Sequence, residues 1–124
     1  TGHGAATNGD TVDINGVKAV FRAVSGLDKH DLRELSDTVK QQIRSGVVVL
    51  ASDSGEGKVA IVATVTPDLK GRLHAGNIVK ALAPIVGGGG GGRPDFAEAG
   101  GRDASKIDAM LAEGRAVVEK MLAK

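Results

Sequence analysis

Residues 45–69, SGVVVLASDSGEGKVAIVATVTPDL, decide the fold. Two nearly continuous apolar runs, VVVLAS at 47–52 and KVAIVATVT at 58–66, flank the turn-forming string DSGEG. Runs of this kind are the pattern of strands covered on both faces, and the short Gly-containing join predicts an antiparallel hairpin. Asp53, Ser54, Gly55, Glu56 and Gly57 suit a tight loop; one acidic pair beside glycines offers far fewer ligands than a calcium loop requires.

Upstream, VDINGVKAVFRAV at 12–24 holds an Asn15-Gly16 turn signal between β-branched residues, which predicts a short strand, a tight turn and a longer strand from Val17. Asp28 is placed to cap a helix over 29–44. Its apolar positions Leu32, Leu35, Val39 and Ile43 recur at steps of three and four, and Gly46 is placed to end it. That spacing puts one stripe on a sheet and leaves Lys29, Arg33, Lys40 and the acids as a wet face.

Downstream, Thr66-Pro67-Asp68 halts the hairpin. A second helix follows over 75–86 with Ile78, Val79, Leu82, Ile85 and Val86 as its apolar positions. Pro84 removes a backbone donor and crowds the carbonyl four residues earlier, so this helix stops or kinks near Ala83. Six glycines fill 87–92. Asp103 then caps a third helix with Ile107, Met110, Leu111, Val117, Val118, Met121 and Leu122 on its apolar side and Gly114 permitting close approach. The order is β-α-β-β-α, a Gly loop with a short extended piece, then α. The class is α/β (α+β) in two layers, a single domain over 12–124, with 1–11 reading as a leader, a tag remnant or the end of a linker.

Composition narrows the functions available. The chain has 124 residues, 41% of them apolar, but 17 of the apolar residues are alanine and the two aromatics are both Phe, so the core is small and aliphatic. Without cysteine there are no disulfides, thiol nucleophiles or thiolate zinc sites. His3, His30 and His74 show none of the spacings a metal site uses. No apolar run approaches the roughly 20 residues that cross a bilayer, and the expected location is the cytoplasm. Net charge is +1, which makes the whole molecule no cationic magnet for nucleic acid. The distribution is less even. Residues 67–92 carry Lys70, Arg72 and Lys80 against Asp68 alone, bordering the Gly run.

Ordering six glycines costs conformational entropy, so an ordered run needs a physical return. A flexible linker is one reading, opposed by the Arg93-Pro94-Asp95-Phe96-Ala97 that follows. Close packing is a second. A cradle of consecutive N–H groups facing a phosphate, with Arg93 beside it, is a third. The run is neither a Walker loop, since no Gly-Lys-Ser or Gly-Lys-Thr follows, nor a dinucleotide fingerprint, since it follows a helix and precedes Arg-Pro.

The string AGNIVKALAPIVGGGGGGRPDFAEAGGRD at 75–103, preceded by SGVVVLASDSGEGKVAIVATVTPDL, closely resembles the C-terminal domain of alanyl-tRNA synthetases, over roughly 13–124. An alanine-containing helix, a Gly run, Arg-Pro-Asp, Ala97 and Gly100-Gly101 stand together in that family's order. The module is related to the substrate-binding domain of DHH phosphoesterases. The resemblance implies a domain that follows the aminoacylation, tRNA-recognition and editing domains and grips the outer corner of tRNA, so that one alanine tRNA serves both charging and proofreading. It implies ATP, magnesium and zinc for the parent enzyme, and no cofactor and no catalytic residue within this fragment. Phe96 and Glu98 stand where the family often has Met and Gln. Arg93 stands after the glycines where the phosphoesterases have a substrate-facing His, and none of their metal ligands is present.

Corner recognition of folded RNA relies on shape, sugar hydroxyls and exposed bases. An aromatic-poor domain is left with main chain and a few cations for it. The candidate RNA contacts are Gly88, Gly89, Gly90, Gly91, Gly92, Arg93, Arg102, Lys70, Arg72 and Lys80, with Lys106 a weaker addition. Arg93 has a second reading, an ion pair with Asp95 or Glu98 that pins the loop. Phe96 reads as a core plug rather than a stacking platform. Two other functions stay open: the substrate-binding domain of a DHH-type phosphoesterase, and an interaction or dimerisation module that self-associates through its first or third helix.

Overall fold

The structure is a computed structural model that describes residues 11–123 apart from Asn15, Glu56 and Lys70. The reading of 1–11 as a leader therefore lies outside the described residues except at Thr11, which opens the first strand. The strands are β1 (Thr11–Ile14), β2 (Val17–Ser25), β3 (Gly46–Gly55), β4 (Lys58–Val65), β5 (Gly89–Gly92) and β6 (Phe96–Gly101). The helices are α1 (Lys29–Ile43), α2 (Ala75–Leu82) and α3 (Ile107–Leu122). One sheet runs in the order β1-β2-β3-β4-β6-β5. Among the described residues only β2 and β3 pair in parallel, and α1 is the crossover that joins them.

The 45–69 stretch folds as its pattern dictates. β3 and β4 pair antiparallel, and consecutive residues of β3 serve different cores. Val47, Val49 and Ala51 face α2 and α3, while Val48 and Leu50 face α1 with Leu32 and Val39. The mixed α/β class is as read, but the layers number three rather than two. A strand that is apolar at every position has two faces to remove from water, so one helix cannot suffice.

Local signals explain the helix ends. Asp28 accepts a hydrogen bond from the Asp31 N–H at 2.9 Å and caps α1. The left-handed residue at the other end is Arg44, with φ 64°. Gly46 instead opens β3, where a Cβ would collide with the Lys18 carbonyl oxygen of β2. α2 ends at Leu82, and Ala83–Val86 continues as a 3-10 turn around Pro84. Asp103 accepts from the Ser105 N–H and starts a 3-10 turn that leads into α3. Gly114 is buried, and a Cβ there would sit 3.2 Å from both Leu82 and Phe21.

The largest departure lies in residues 87–101. The expected Gly loop with a short extended piece is a β-hairpin, β5 and β6, that extends the sheet to its edge. Glycine and alanine carry little strand propensity of their own, so main-chain pairing of β6 with β4 and of β5 with β6, and not side-chain pattern, builds these two strands.

Candidate nucleic-acid interface

The site is built around the turn between β5 and β6. Arg93 N–H donates to the Phe96 carbonyl at 2.8 Å and closes it. Three carbonyls of the turn are then held by other elements: that of Arg93 by Gly76 N–H, that of Pro94 by Ala75 N–H, and that of Asp95 by Val65 N–H and the Thr64 hydroxyl. This clamp fixes the backbone of Arg93 while its side chain stays 74% exposed. The Arg93 guanidinium lies 3.7 Å from Asp95, between exposed groups, a pairing of small energetic weight.

The same clamp uses up the α2 N-terminus. Ala75 and Gly76 donate to the turn, and Asn77 N–H donates to Nδ1 of His74, which caps the helix. Gly87 and Gly88 donate to the Pro84 and Ala83 carbonyls. A cradle of consecutive free N–H groups therefore does not form, because the following glycines run as a strand whose donors alternate in direction.

Close packing explains alternate glycines of the run. A Cβ at Gly88 would overlap the Gly100 carbonyl, one at Gly90 would overlap Ala99 and the Glu98 carbonyl, and one at Gly92 would come within 2.6 Å of the Phe96 carbonyl. Gly89 meets nothing within 4 Å, and Gly91 meets only the Lys80 side chain at 3.4 Å.

A trough lies on the α1 side of the β6 and β5 edge, divided in two. Arg33 of α1 bridges it, pairing with Glu98 of β6 at 2.7 Å and standing 5.7 Å over the Phe96 ring. The acid that the sequence sets beside the glycines is thus neutralised by a helix 65 positions away. One compartment, about 450 Å³, holds Lys40, Arg93, Asp95 and Phe96. The other, about 690 Å³, is lined by Lys29, Lys58, Arg102 and glycines of β5 and β6. Phe96 is half-buried against the α1 core, as a plug would be.

Arg93 and Arg102 thus border the trough, one in each compartment. Lys80 rides on α2 against Gly91, on the opposite side of the sheet from α1. Arg72 is exposed in the segment before α2 and lines neither compartment, and Lys106 is exposed just before α3. Lys70 lies outside the described residues. Lys29, Arg33, Lys40 and Lys58 join the trough although no sequence motif marks them; the α1 crossover and the sheet register bring them there, and neither is coded near those residues.

Among the described residues no three His, Asp or Glu side chains gather into a set that could hold a metal ion, and no helix is long and apolar enough to cross a membrane. The carboxyl of Asp68 is held below the ordinary 3.8 chiefly by the hydroxyl of Ser45, then by that of Thr66.

Fold and trough together define a six-stranded mixed α/β domain with helices on both faces and a glycine strand at one edge. The sequence profile of the DHHA1 domain matches residues 16–120, and the chain belongs to that family. It is 49% identical over 113 residues to the alanine–tRNA ligase of Acetivibrio thermocellus, covering 90% of this chain and 13% of that one. To the alanine–tRNA ligase of a Roseiflexus species it is 59% identical over 88 residues, covering 70% of this chain and 10% of that one. The chain thus spans about an eighth or less of the length of these relatives. Its fold is that of the crystal structure of the C-Ala domain from Aquifex aeolicus alanyl-tRNA synthetase. The TM-score is 0.81 at 23% identity, covering 88% of this chain and 97% of that one. The resemblance read from the Gly run and its flanks therefore stands.

Proposed function

We propose that the chain is the C-terminal domain of an alanine–tRNA ligase and that it binds the outer corner of tRNA, linking charging to proofreading in the longer enzyme. The observation that carries this reading is 49% identity to an alanine–tRNA ligase across 90% of the chain. The exposed cations at the β5 edge, with Arg93 held on a clamped turn, are consistent with backbone contact to phosphate. In this reading the domain supplies affinity and placement. The parent enzyme's chemistry with ATP, magnesium and zinc belongs, in this reading, to its other domains.

A salt titration of tRNA binding by the 124-residue chain tests the proposal. Removing one cation from a phosphate lowers the slope of log affinity against log salt by roughly 0.7 to 0.9. Arg72→Ala with Arg93→Ala is expected to weaken binding and flatten that slope by roughly 1.5. Equal slopes for variant and parent would remove both residues from the interface. Absence of tRNA binding by the parent chain at low salt would overturn the reading.

A further inference from the structure

His74 is an uncommon cap. Helix N-caps are preferentially Ser, Thr, Asp or Asn, whose oxygens go on accepting a hydrogen bond on either side of neutral pH. At α2 the acceptor is Nδ1 of His74, which takes the Asn77 N–H at 3.1 Å and so leaves the ring proton on Nε2. A proton added to that ring lands on Nδ1, the atom that makes the bond. It removes the acceptor and sets a positive charge at the positive end of the helix dipole. Imidazoles ordinarily change charge between about pH 5 and 8. A cap of this kind is therefore present above that range and lost as pH falls through it.

What the cap holds is the start of a helix that grips another element. Ala75 N–H and Gly76 N–H, the donors before Asn77, bind the Pro94 carbonyl at 2.8 Å and the Arg93 carbonyl at 3.1 Å. The seating is close: a Cβ at Gly76 would stand 2.5 Å from the Gly92 carbonyl oxygen and 3.0 Å from Cε1 of His74 itself. A first turn that frays therefore lets go of both carbonyls, while the Asp95 carbonyl stays on Val65 N–H and the Thr64 hydroxyl. The charged groups on the elements around the ring are Asp68 and Arg72 in the segment before it, Lys80 on α2, and Arg93 and Asp95 on the turn. Asp68 is bonded to Ser45 and Asp95 stands beside Arg93, and among the described residues none forms an ion pair with His74. α3 meets α2 at Leu82, about two turns away. No acid is therefore paired with the imidazolium to make up for the lost cap.

We propose that His74 is a pH-sensitive latch and the positioning residue of Arg93. The neutral imidazole holds the first turn of α2 and, through it, the backbone of Arg93. Protonation of Nδ1 releases both, and the Asn77 N–H turns to water. Arg93 then keeps its charge but loses its fixed place at the end of the hairpin. The latch stands on hydrogen-bond geometry alone, and its consequence for RNA rests on the RNA-binding reading above, in which Arg93 contacts phosphate.

Amide exchange at about pH 8 and about pH 5, expressed as protection over the free-peptide rate at each pH, tests the latch. In the parent chain Ala75 and Gly76 are expected to lose about fivefold in protection at the acid pH relative to the amides of β3, the scale of one N-cap. His74→Asn, a neutral cap at both values, is expected to keep their protection at both, and His74→Ala to show the reduced protection at both. His30→Gln, which removes the exposed imidazole on α1, is expected to behave as the parent. Binding of an alanine tRNA transcript at the same two pH values reads the consequence. The parent is expected to lose up to about fivefold more affinity on acidification than His74→Asn does, and this excess is expected to vanish when Arg93→Ala is added to both chains. Protection of Ala75 and Gly76 that does not change with pH, or that changes equally in His74→Asn, would overturn the latch. An excess that survives Arg93→Ala would overturn the positioning role. So would a parent that gains affinity over His74→Asn in acid, since the imidazolium would then be touching phosphate itself. A chain that shows the protection change and binds no tRNA at either pH keeps the latch and ends the RNA-binding reading.

Discussion

Gly90 and Gly91 are neighbours with opposite reasons for lacking a side chain. A Cβ at Gly90 would run into Ala99 and the Glu98 carbonyl, backbone and short side chain that cannot move aside. Gly90→Ala is therefore expected to destabilise the fold by about 1–3 kcal/mol or more, the cost of overpacking. At Gly91 the nearest atom is the flexible Lys80 Cε at 3.4 Å. Gly91→Ala is expected to be neutral, or stabilising by about 0.4–1 kcal/mol through the unfolded chain. Urea midpoints of the two variants separate the cases, and equal losses would refute the packing account. Asp68 gives a prediction in pH. Its folded-state value lies below 3.8, so its contribution to stability is present above that value and is lost as pH falls through the depressed one. Asp68→Asn is expected to lower the urea midpoint at neutral pH and to match the parent once the acid is protonated in both states. A difference that persists at the acid extreme would mean that the Ser45 contact works by shape and not by charge.

Among the elements, β3, β4 and α1 are legible in the sequence because their side chains state their surroundings: consecutive valines for a doubly covered strand, and a three-four spacing for a helix on a sheet. The end of α2 is legible at Pro84 for the same local reason. β5 and β6 are not, because FAEAGG and a run of glycine present no alternation, and their register is set by β4 and by the clamp on Arg93, Pro94 and Asp95. Layer number escapes for a related cause: VVVLAS says that both faces are covered, but no local signal says which helices do the covering. The trough is half legible. Arg93 adjoins the Gly run in sequence and Arg102 follows the Gly100-Gly101 pair, whereas Lys29 and Lys58 reach it only through tertiary structure. His74 is an element-scale feature with a testable consequence, since its Nδ1 caps α2 at the point where that helix grips the turn. His74→Ala is expected to cost about 1 kcal/mol, and His74→Asp to restore most of it, as N-cap preferences require. Should both substitutions cost the same, the cap would contribute nothing and the imidazole would act only through packing.

Across the whole molecule, side-chain burial is concentrated at the centre of the sheet and runs out at the β5 edge. Leu50 of β3 is fully buried against α1, and Leu50→Ala is expected to cost about 2–5 kcal/mol. β5 has no side chains to bury and is held by pairing to β6 and by α2 lying against it. Local opening is cheapest where few apolar contacts must be broken. Amide exchange should therefore be slowest in β3 and β4, at the rate set by global unfolding, and faster in β5 through an opening that leaves the central strands closed. The proposed interface lies on that weak edge, so a ligand that needs β5 in place pulls against its opening. With tRNA at a hundredfold excess over its dissociation constant, linkage adds about 2.7 kcal/mol to any opening that abolishes binding, which slows exchange roughly a hundredfold. The β5 amides are expected to slow by that factor, until their rate meets that of β3. Slowing in β3 and β4 with no change in β5 would place the RNA elsewhere on the domain, away from the glycine edge.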